Sequence, residues 1–539
     1  MVVVPLSPTS SPSGVVRASS SASSIKDMAH QEKTAASATL GFDNVLHPTE
    51  TTDEGHILQL MGYEQQTVRN YSVLSLLGMG FALTNSWWAI SSSMIVGLPS
   101  GGTVGIIYGL LILFVASLSI GVTLSELGSA YPNSGGQYYW TSQLAPPRAR
   151  RLLAYVTGYL SWAGAVFTTV SVCLAVGQGI VGMVQYNHPD LVIERWMVFV
   201  TAELVNIAGA FFNLYSKFLP TIATVSLYVT LSGFIVTFIT VLASSSSEYN
   251  SREFVFAQFI NETGWSNNVI AFIVGLINPS WAFPCLDAAT HLAEECAKPE
   301  RAIPIAIMGT VVIGFITSFA YVVGMFFSVR DLSSLSTTAT GVPILELFSQ
   351  VVKSPGGVIV LETMVTMSGV GTLISSQTWQ SRIAWAFSRD NALPFSRFWS
   401  RVDQRLMVPI NAHVLSVVIT AILLCLYLAS LTAFNSMVSA CVVFLYLSYL
   451  LPTVCLLIRG RSRLPKGPFF LGAWGMLANY CTVIWVVLTT VFFSFPYIMP
   501  AEAGNMNYLS VVLVVYMVYI FGYWVFAARR DFKIHLIED

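Results

Sequence analysis

Apolar residues gather in about twelve runs, near 72–97, 103–127, 152–182, 193–214, 219–243, 268–296, 304–328, 356–386, 410–430, 434–458, 471–495 and 508–527. Each is close to the roughly 20 residues that a helix needs to cross hydrocarbon. The sixth run is interrupted: VIAFIVGLI gives way at Asn278-Pro279-Ser280, and WAFPCLDAATHLAEE brings aromatics and then acids. Proline has no amide donor and clashes with the preceding turn, so Pro279 and Pro284 leave carbonyls that hydrocarbon cannot satisfy. Such a break persists only beside a protein-lined cavity, and in secondary transporters it builds the substrate and ion site near the bilayer midplane. The first run carries a matching interruption, Thr84-Asn85-Ser86, preceded by Gly78 and Gly80 and followed by Trp87 and Trp88. Interruptions five spans apart are the mark of an inverted repeat. The pattern predicts an all-α polytopic membrane protein with a five-plus-five inverted repeat, broken helices one and six, and two added spans.

Composition agrees with this pattern: 54% of residues are hydrophobic and 10% charged, and mean hydropathy is +0.67. The net charge of −1 supplies no basic field for nucleic acid. The seven cysteines lie in or beside apolar runs, with neither a disulfide framework nor metal-ligand spacing. Residues 1–70 are polar and are expected to form a disordered tail, because the patch Val2–Val4 is too short for a signal peptide. Residues 71–530 form the transmembrane domain and 531–539 a short C-terminal tail.

Basic residues place the loops. Arg148, Arg150 and Arg151 follow span two, Lys217 span four, and Lys298 and Arg301 span six. Arg389, Arg397, Arg401 and Arg405 follow span eight, Arg459, Arg461, Arg463 and Lys466 span ten, and Arg529 and Arg530 span twelve. These loops share a side with both termini, which the positive-inside rule makes cytoplasmic. The opposite loop between spans five and six carries a glycosylation sequon at Asn261.

Candidate chemistry clusters at the breaks. Thr84, Asn85, Ser86, Trp87, Trp88, Asn278, Ser280, Trp281 and Phe283 are the expected substrate-facing residues. Trp87, Trp88, Trp281 and Phe283 form either an aromatic box for a quaternary ammonium, each ring contributing about 0.5–2 kcal/mol, or ordinary helix packing. Asp287, His291 and Glu295 recur every four residues, which puts them on one face of a helix, with Glu294 beside them. An acid at membrane depth is costly and is a functional candidate by default. Glu203 and Glu362 are further intramembrane acids, suited either to proton pathways or to interhelical pairing. Gly97–Gly102 has glycines but no Lys-Ser/Thr, so it reads as a turn and not as a phosphate loop. No nucleophile–base constellation stands out, and neither an enzyme nor a cofactor is expected.

The stretches ELGSAYPNSGGQYYW (Glu126 to Trp140), LDAATHLAEECAKPERAIPIAI (Leu286 to Ile307) and SRDNALP (Ser388 to Pro394) resemble the amino acid–polyamine–organocation transporters. INPSWAFPCLDAATH is most similar to the fungal amino acid/choline permeases, particularly the choline permeases. The resemblance covers essentially everything after residue 70 and implies uptake across the plasma membrane driven by a cation gradient, protons being expected ahead of sodium. It implies that Trp281 gates the site and that Asp287 counters the substrate charge, carries a coupling proton, or caps and pairs structurally. It also sets Glu294 and Glu295 near Lys298 and Arg301, so no metal site is expected, and points to Ser375 and Ser376 as a sodium site or simple packing.

One departure matters. Amino-acid-carrying members usually have Gly-Ser-Gly or Gly-Thr-Gly in the first break, where bare amides receive a carboxylate. Here that region reads Asn85-Ser86-Trp87-Trp88-Ala89, and the second break has Pro284-Cys285-Leu286-Asp287. Bulky indoles suit a cationic head group better than an α-carboxylate, so choline or a related small organic cation is the expected substrate. An amino acid such as γ-aminobutyrate, and a nutrient sensor that does not transport, are the alternatives.

Overall fold

Hydrocarbon offers the backbone no hydrogen-bonding partner, so apolar runs must satisfy their own amides, and they do so here as helices. The computed structural model describes residues 58–537, which contain no strand beyond two isolated bridges. Among the described residues eleven helices are long and apolar enough to cross a membrane: Val73–Ser92 (span one), Gly102–Ala130 (two), Arg150–Asn187 (three), Arg195–Phe212 (four) and Ser216–Ser244 (five), then Pro299–Ser328 (seven), Pro355–Arg389 (eight), Ile410–Ala429 (nine), Leu431–Arg459 (ten), Ala473–Phe492 (eleven) and Leu509–Asp531 (twelve). Span six is the shorter apolar helix Asn268–Ser280 and its irregular continuation, which completes the twelve read from the sequence. Local signals set several starts. Ser72 and Ser75 form a capping box at span one, and Ser354 caps span eight ahead of Pro355.

The halves pack as a repeat should. Spans two, three and four lie against spans seven, eight and nine, each the element five places later. Span one is wedged among spans five, seven and eight, and span ten lies along span three. Small residues permit this closeness. A Cβ on Gly78 would sit 2.7 Å from the Ala223 carbonyl oxygen of span five, and one on Gly164 would meet Leu445 of span ten at 2.6 Å. Span twelve is peripheral, with Val514, Val515 and Val518 exposed as a lipid-facing surface requires.

Residues 1–57, most of the expected tail, lie outside the described residues, as do 538–539. The rest of both expected tails is packed. Leu58, Met61 and Tyr63 are buried, Gln65 Nε2 and Thr67 Oγ1 donate to the Glu294 carbonyl, and Tyr63 Oη donates to Asp390 Oδ2 at 3.0 Å. From the other end, Phe532 is buried, Lys533 N donates to the Asp390 carbonyl, and Gln143 Nε2 donates to the His535 carbonyl. Boundaries drawn at 70 and 531 therefore cut through packed structure. These segments supply a few apolar side chains and donors that satisfy carbonyls at helix ends, a role that their polar composition hides. The described chain ends meet: the rings of Tyr63 and His535 are 4.7 Å apart.

Asp390, just past span eight, ties them together. It also accepts from Tyr138 Oη at 2.9 Å, and His535 Nδ1 lies 3.9 Å away. Burial pushes its carboxyl up to about 6, against the lowering influence of Arg389 and the two tyrosine hydroxyls. A raised pKa means that folding takes up a proton. The stabilisation is complete below about pH 4, the unfolded value, and is lost as pH rises through about 6, with a span on the order of 1–3 kcal/mol. Thermal unfolding of detergent-purified protein should show this slope, and Asp390→Asn should flatten it. An unchanged slope in the variant would assign the pH dependence to another group.

Candidate functional site

Span one stops at Thr84 because Asn85 enters left-handed backbone, φ 35°, and restarts a short helix, Ser86–Ser92. Asparagine tolerates this region better than most residues. Its buried side chain donates to Ser368 Oγ at 2.8 Å and Thr372 Oγ1 at 2.9 Å, fastening the break to span eight. Thr84 Oγ1 donates to the Pro284 carbonyl at 3.2 Å, so a hydroxyl from one break satisfies the backbone of the other.

Span six breaks by stages. A helix over Asn268–Gly275 gives way to a single turn, Ile277–Ser280. The amides of Trp281, Ala282 and Phe283 then bond three residues back, to the carbonyls of Asn278, Pro279 and Ser280. Pro284 cannot donate, Cys285 has φ 62°, and the chain continues in turns with one 3₁₀ turn at Thr290–Leu292. The expected regular second half-helix is absent because this tightened, proline-interrupted backbone does not return to four-residue bonding. The shared face expected for Asp287, His291 and Glu295 is accordingly only partly formed.

Asp287 and His291 do meet. His291 Nε2 lies 3.0 Å from Asp287 Oδ2, and both side chains are buried. Nδ1 lies 2.8 Å from the Ser134 carbonyl, which can only accept, so Nδ1 carries a hydrogen. The Nε2–Oδ2 contact therefore holds one proton, on imidazole or on carboxyl. Tyr449 Oη of span ten donates to Asp287 Oδ1 at 2.6 Å. The PNSGG turn of the first motif seats the ring: Gly136 has φ 52°, and a Cβ there would lie 2.9 Å from His291 Cε1.

Glu294 and Glu295, expected near Lys298 and Arg301, pair with arginines of span eight. Arg382 Nε donates to Glu295 Oε1 at 2.5 Å and Nη2 to Oε2 at 3.1 Å. Arg389 makes the same fork with Glu294, at 2.8 and 2.9 Å. Arg382 lies deep in an apolar span, a position that by itself calls for a carboxylate partner. Two adjacent acids facing guanidiniums two helical turns apart lock the end of span six to span eight, on the side where the described chain ends meet. Glu126 is likewise paired, 2.8 Å from Arg461.

The remaining expected residues are dispersed. Trp87 is buried with its ring 5.3 Å from Tyr321 and 6.3 Å from Phe234, Trp88 packs on Gly369, and Phe283 and Ser86 face Gly314. Trp281 is partly exposed, and no ring contact among the described residues joins it to Phe283, Trp87 or Trp88. Asn278 Nδ2 donates to Ser93 Oγ at 2.7 Å, and Ser280 Oγ to the Leu276 carbonyl at 2.7 Å. Ser376 bonds its own helix at the Leu373 carbonyl, and Ser375 is buried beside it. The hydroxyls that reach the first break, Ser368 and Thr372, lie earlier on span eight. Glu203 is half-buried on span four, whereas Glu362 is buried in span eight. Asn261 is half-buried, its amide donating to the Trp265 carbonyl and Asn268 Oδ1. The sequence reading missed Tyr449 and Arg382, since only the fold brings spans ten and eight to these acids.

A family model for amino acid permeases matches residues 71–519. The choline transporter of Saccharomyces cerevisiae is 48% identical over 87% of this chain and 83% of its own length. A swainsonine transporter of Arthroderma benhamiae is 34% identical over 92% of this chain and 99% of its own. An amino-acid permease of Arabidopsis thaliana is 30% identical over 92% of this chain and 98% of its own. With broken first and sixth spans and a family match across nearly the whole membrane domain, the chain belongs to the amino acid permease family of the amino acid–polyamine–organocation superfamily.

Proposed function

We propose that this permease imports choline or a related small organic cation across the plasma membrane, with both termini cytoplasmic, by proton-coupled alternating access. The observation that carries the reading is the first break. Asn85 seals it with a side chain and Trp87 and Trp88 follow, where carboxylate recognition calls for bare glycine amides. The similarity to a protein named a choline transporter supports the same substrate class. Relatives named amino-acid permeases support the second reading, uptake of an amino acid. Uptake of a labelled panel in cells lacking their own permeases tests both: choline accumulation without amino-acid accumulation is expected, and the reverse overturns the proposal.

The Asp287–His291 pair is the proposed proton carrier. Its single shared proton leaves the pair neutral, so Asp287 is already compensated before any cation arrives. Releasing that proton leaves a buried net negative charge, which costs free energy unless the surroundings change, and such a change is what alternating access provides. The Glu294–Arg389 and Glu295–Arg382 pairs close the end of span six, so opening on that side requires span six to part from span eight.

Asp287→Asn mimics the protonated carboxyl. Binding should persist within a few-fold, lose its pH dependence, and support exchange better than concentrative uptake. A selective loss of cation affinity in that variant would instead make Asp287 the counter-charge. Uptake in the wild type should collapse with a protonophore and survive replacement of sodium; the opposite result would point to an ion site near Ser375 and Ser376.

Trp281 is the proposed gate ring. Trp281→Ala should weaken substrate affinity by about 0.5–2 kcal/mol more than Trp281→Phe, because phenylalanine keeps a π face. Competition binding on correctly trafficked protein measures this, and equal affinities in the two variants would remove Trp281 from the site.

A further inference from the structure

The buried carboxyls of this protein are not alike. Within or beside the spans, Glu126 faces Arg461, Glu294 faces Arg389, Glu295 faces Arg382, and Asp287 shares a proton with His291. Asp390, just past span eight, accepts from Tyr63 and Tyr138 and has His535 3.9 Å away. Among the described residues Glu362 is the buried carboxyl with neither a charged nor a tyrosine partner of this kind. It is 2% exposed, no ion pair reaches it, and its Oε2 has no hydrogen-bond partner. An acid inside a membrane helix normally pairs with a cation or lines a pathway.

Its surroundings are those of a cation site. A Cβ on Gly179 of span three would lie 3.0 Å from Thr366 Oγ1 and 3.4 Å from Glu362 Oε1, so bare backbone faces both oxygens. Tyr321 of span seven is buried, and its hydroxyl, like that of Thr366, has no hydrogen-bond partner among the described residues. Against Tyr321 stands the Trp87 ring, edge-on at 5.3 Å, just after the first break. Glu362 precedes Ser368, which holds Asn85, by six residues, or about 9 Å along a helix, on the side away from the described chain ends.

We infer that Glu362 is the counter-charge for the organic cation, in a site walled by Tyr321 and Trp87, with the bare backbone of Gly179 packed close against its oxygens. The inference rests on the organic-cation reading and deepens it. A quaternary ammonium has no N–H to donate, so it neutralises a carboxylate by charge and pairs with aromatic faces while leaving Oε2 without a hydrogen bond. The hydroxyl of a choline-like substrate can then bond to Thr366 or Tyr321.

The test compares labelled-choline displacement by choline and by 3,3-dimethylbutan-1-ol, its uncharged carbon isostere, in wild type, Glu362→Gln and Glu362→Asp. Glu362→Gln should weaken choline at least about tenfold and the isostere by no more than about twofold, with Glu362→Asp recovering part of the loss. Equal losses for both ligands, or none, would overturn the assignment. Should Glu362→Gln fail to reach the membrane, the wild type still decides: choline should protect Glu362 from dicyclohexylcarbodiimide, read by mass spectrometry, and absence of protection overturns the site. A wild type that binds no organic cation defeats the functional reading itself, whereas choline binding unaffected by Glu362→Gln defeats this inference alone.

Discussion

No hydrogen-bonding group can be left unpaired in hydrocarbon without a cost of several kcal/mol, and the bond from Thr84 to the Pro284 carbonyl shows how this chain meets that constraint. Two helices are broken where a membrane protein can least tolerate it, and a side chain at the first break answers part of the second's need. Asn85 carries the arrangement to span eight through Ser368 and Thr372. Spans one, six and eight are thereby joined at the two breaks.

Charge follows the same rule. Span six ends in acids that would be prohibitive alone, and Arg382 and Arg389 neutralise them through paired bonds whose partners sit on a single rigid helix. The span-six pairs fasten the end of span six to span eight, and Gln65 and Thr67 add bonds to the Glu294 carbonyl from the segment before span one. Span one and the end of span six are therefore tied together. A movement that opens one must also disturb the other, which is how a broken-helix pair can communicate between the site and its closure.

In the proposed mechanism the Asp287–His291–Tyr449 cluster and Glu362 divide two tasks that a single acid cannot perform well at once. A carboxylate shared with imidazole and tyrosine is compensated and suited to exchanging a proton. A buried carboxyl with no cation beside it holds its proton until a cation arrives to compensate the charge. Separate groups allow a cation and a proton to load independently while both act on spans six, seven, eight and ten.

Much of the architecture was legible before any coordinates. The apolar runs, the paired interruptions and the three motifs gave twelve spans, the repeat and the family, because hydrocarbon thickness and proline chemistry act on residues close together in the chain. That acids lie within the spans, and Trp281 beside the second break, is visible by the same local logic. Partners are not. Arg382 and Glu295 are separated by 87 positions, and Asp287 and Tyr449 by 162. Their pairing depends on which helix faces lie together. The same is true of Trp87 and Trp88, adjacent in sequence but turned toward Tyr321 and Gly369 on different neighbours. Residues 58–70 looked like tail because their polarity was visible and the carbonyls they satisfy were not. Sequence alone determined that the chain crosses the membrane and where its helices fail; tertiary structure decided which of the described acids are neutralised by a partner and which are not, because compensation belongs to neighbours in space.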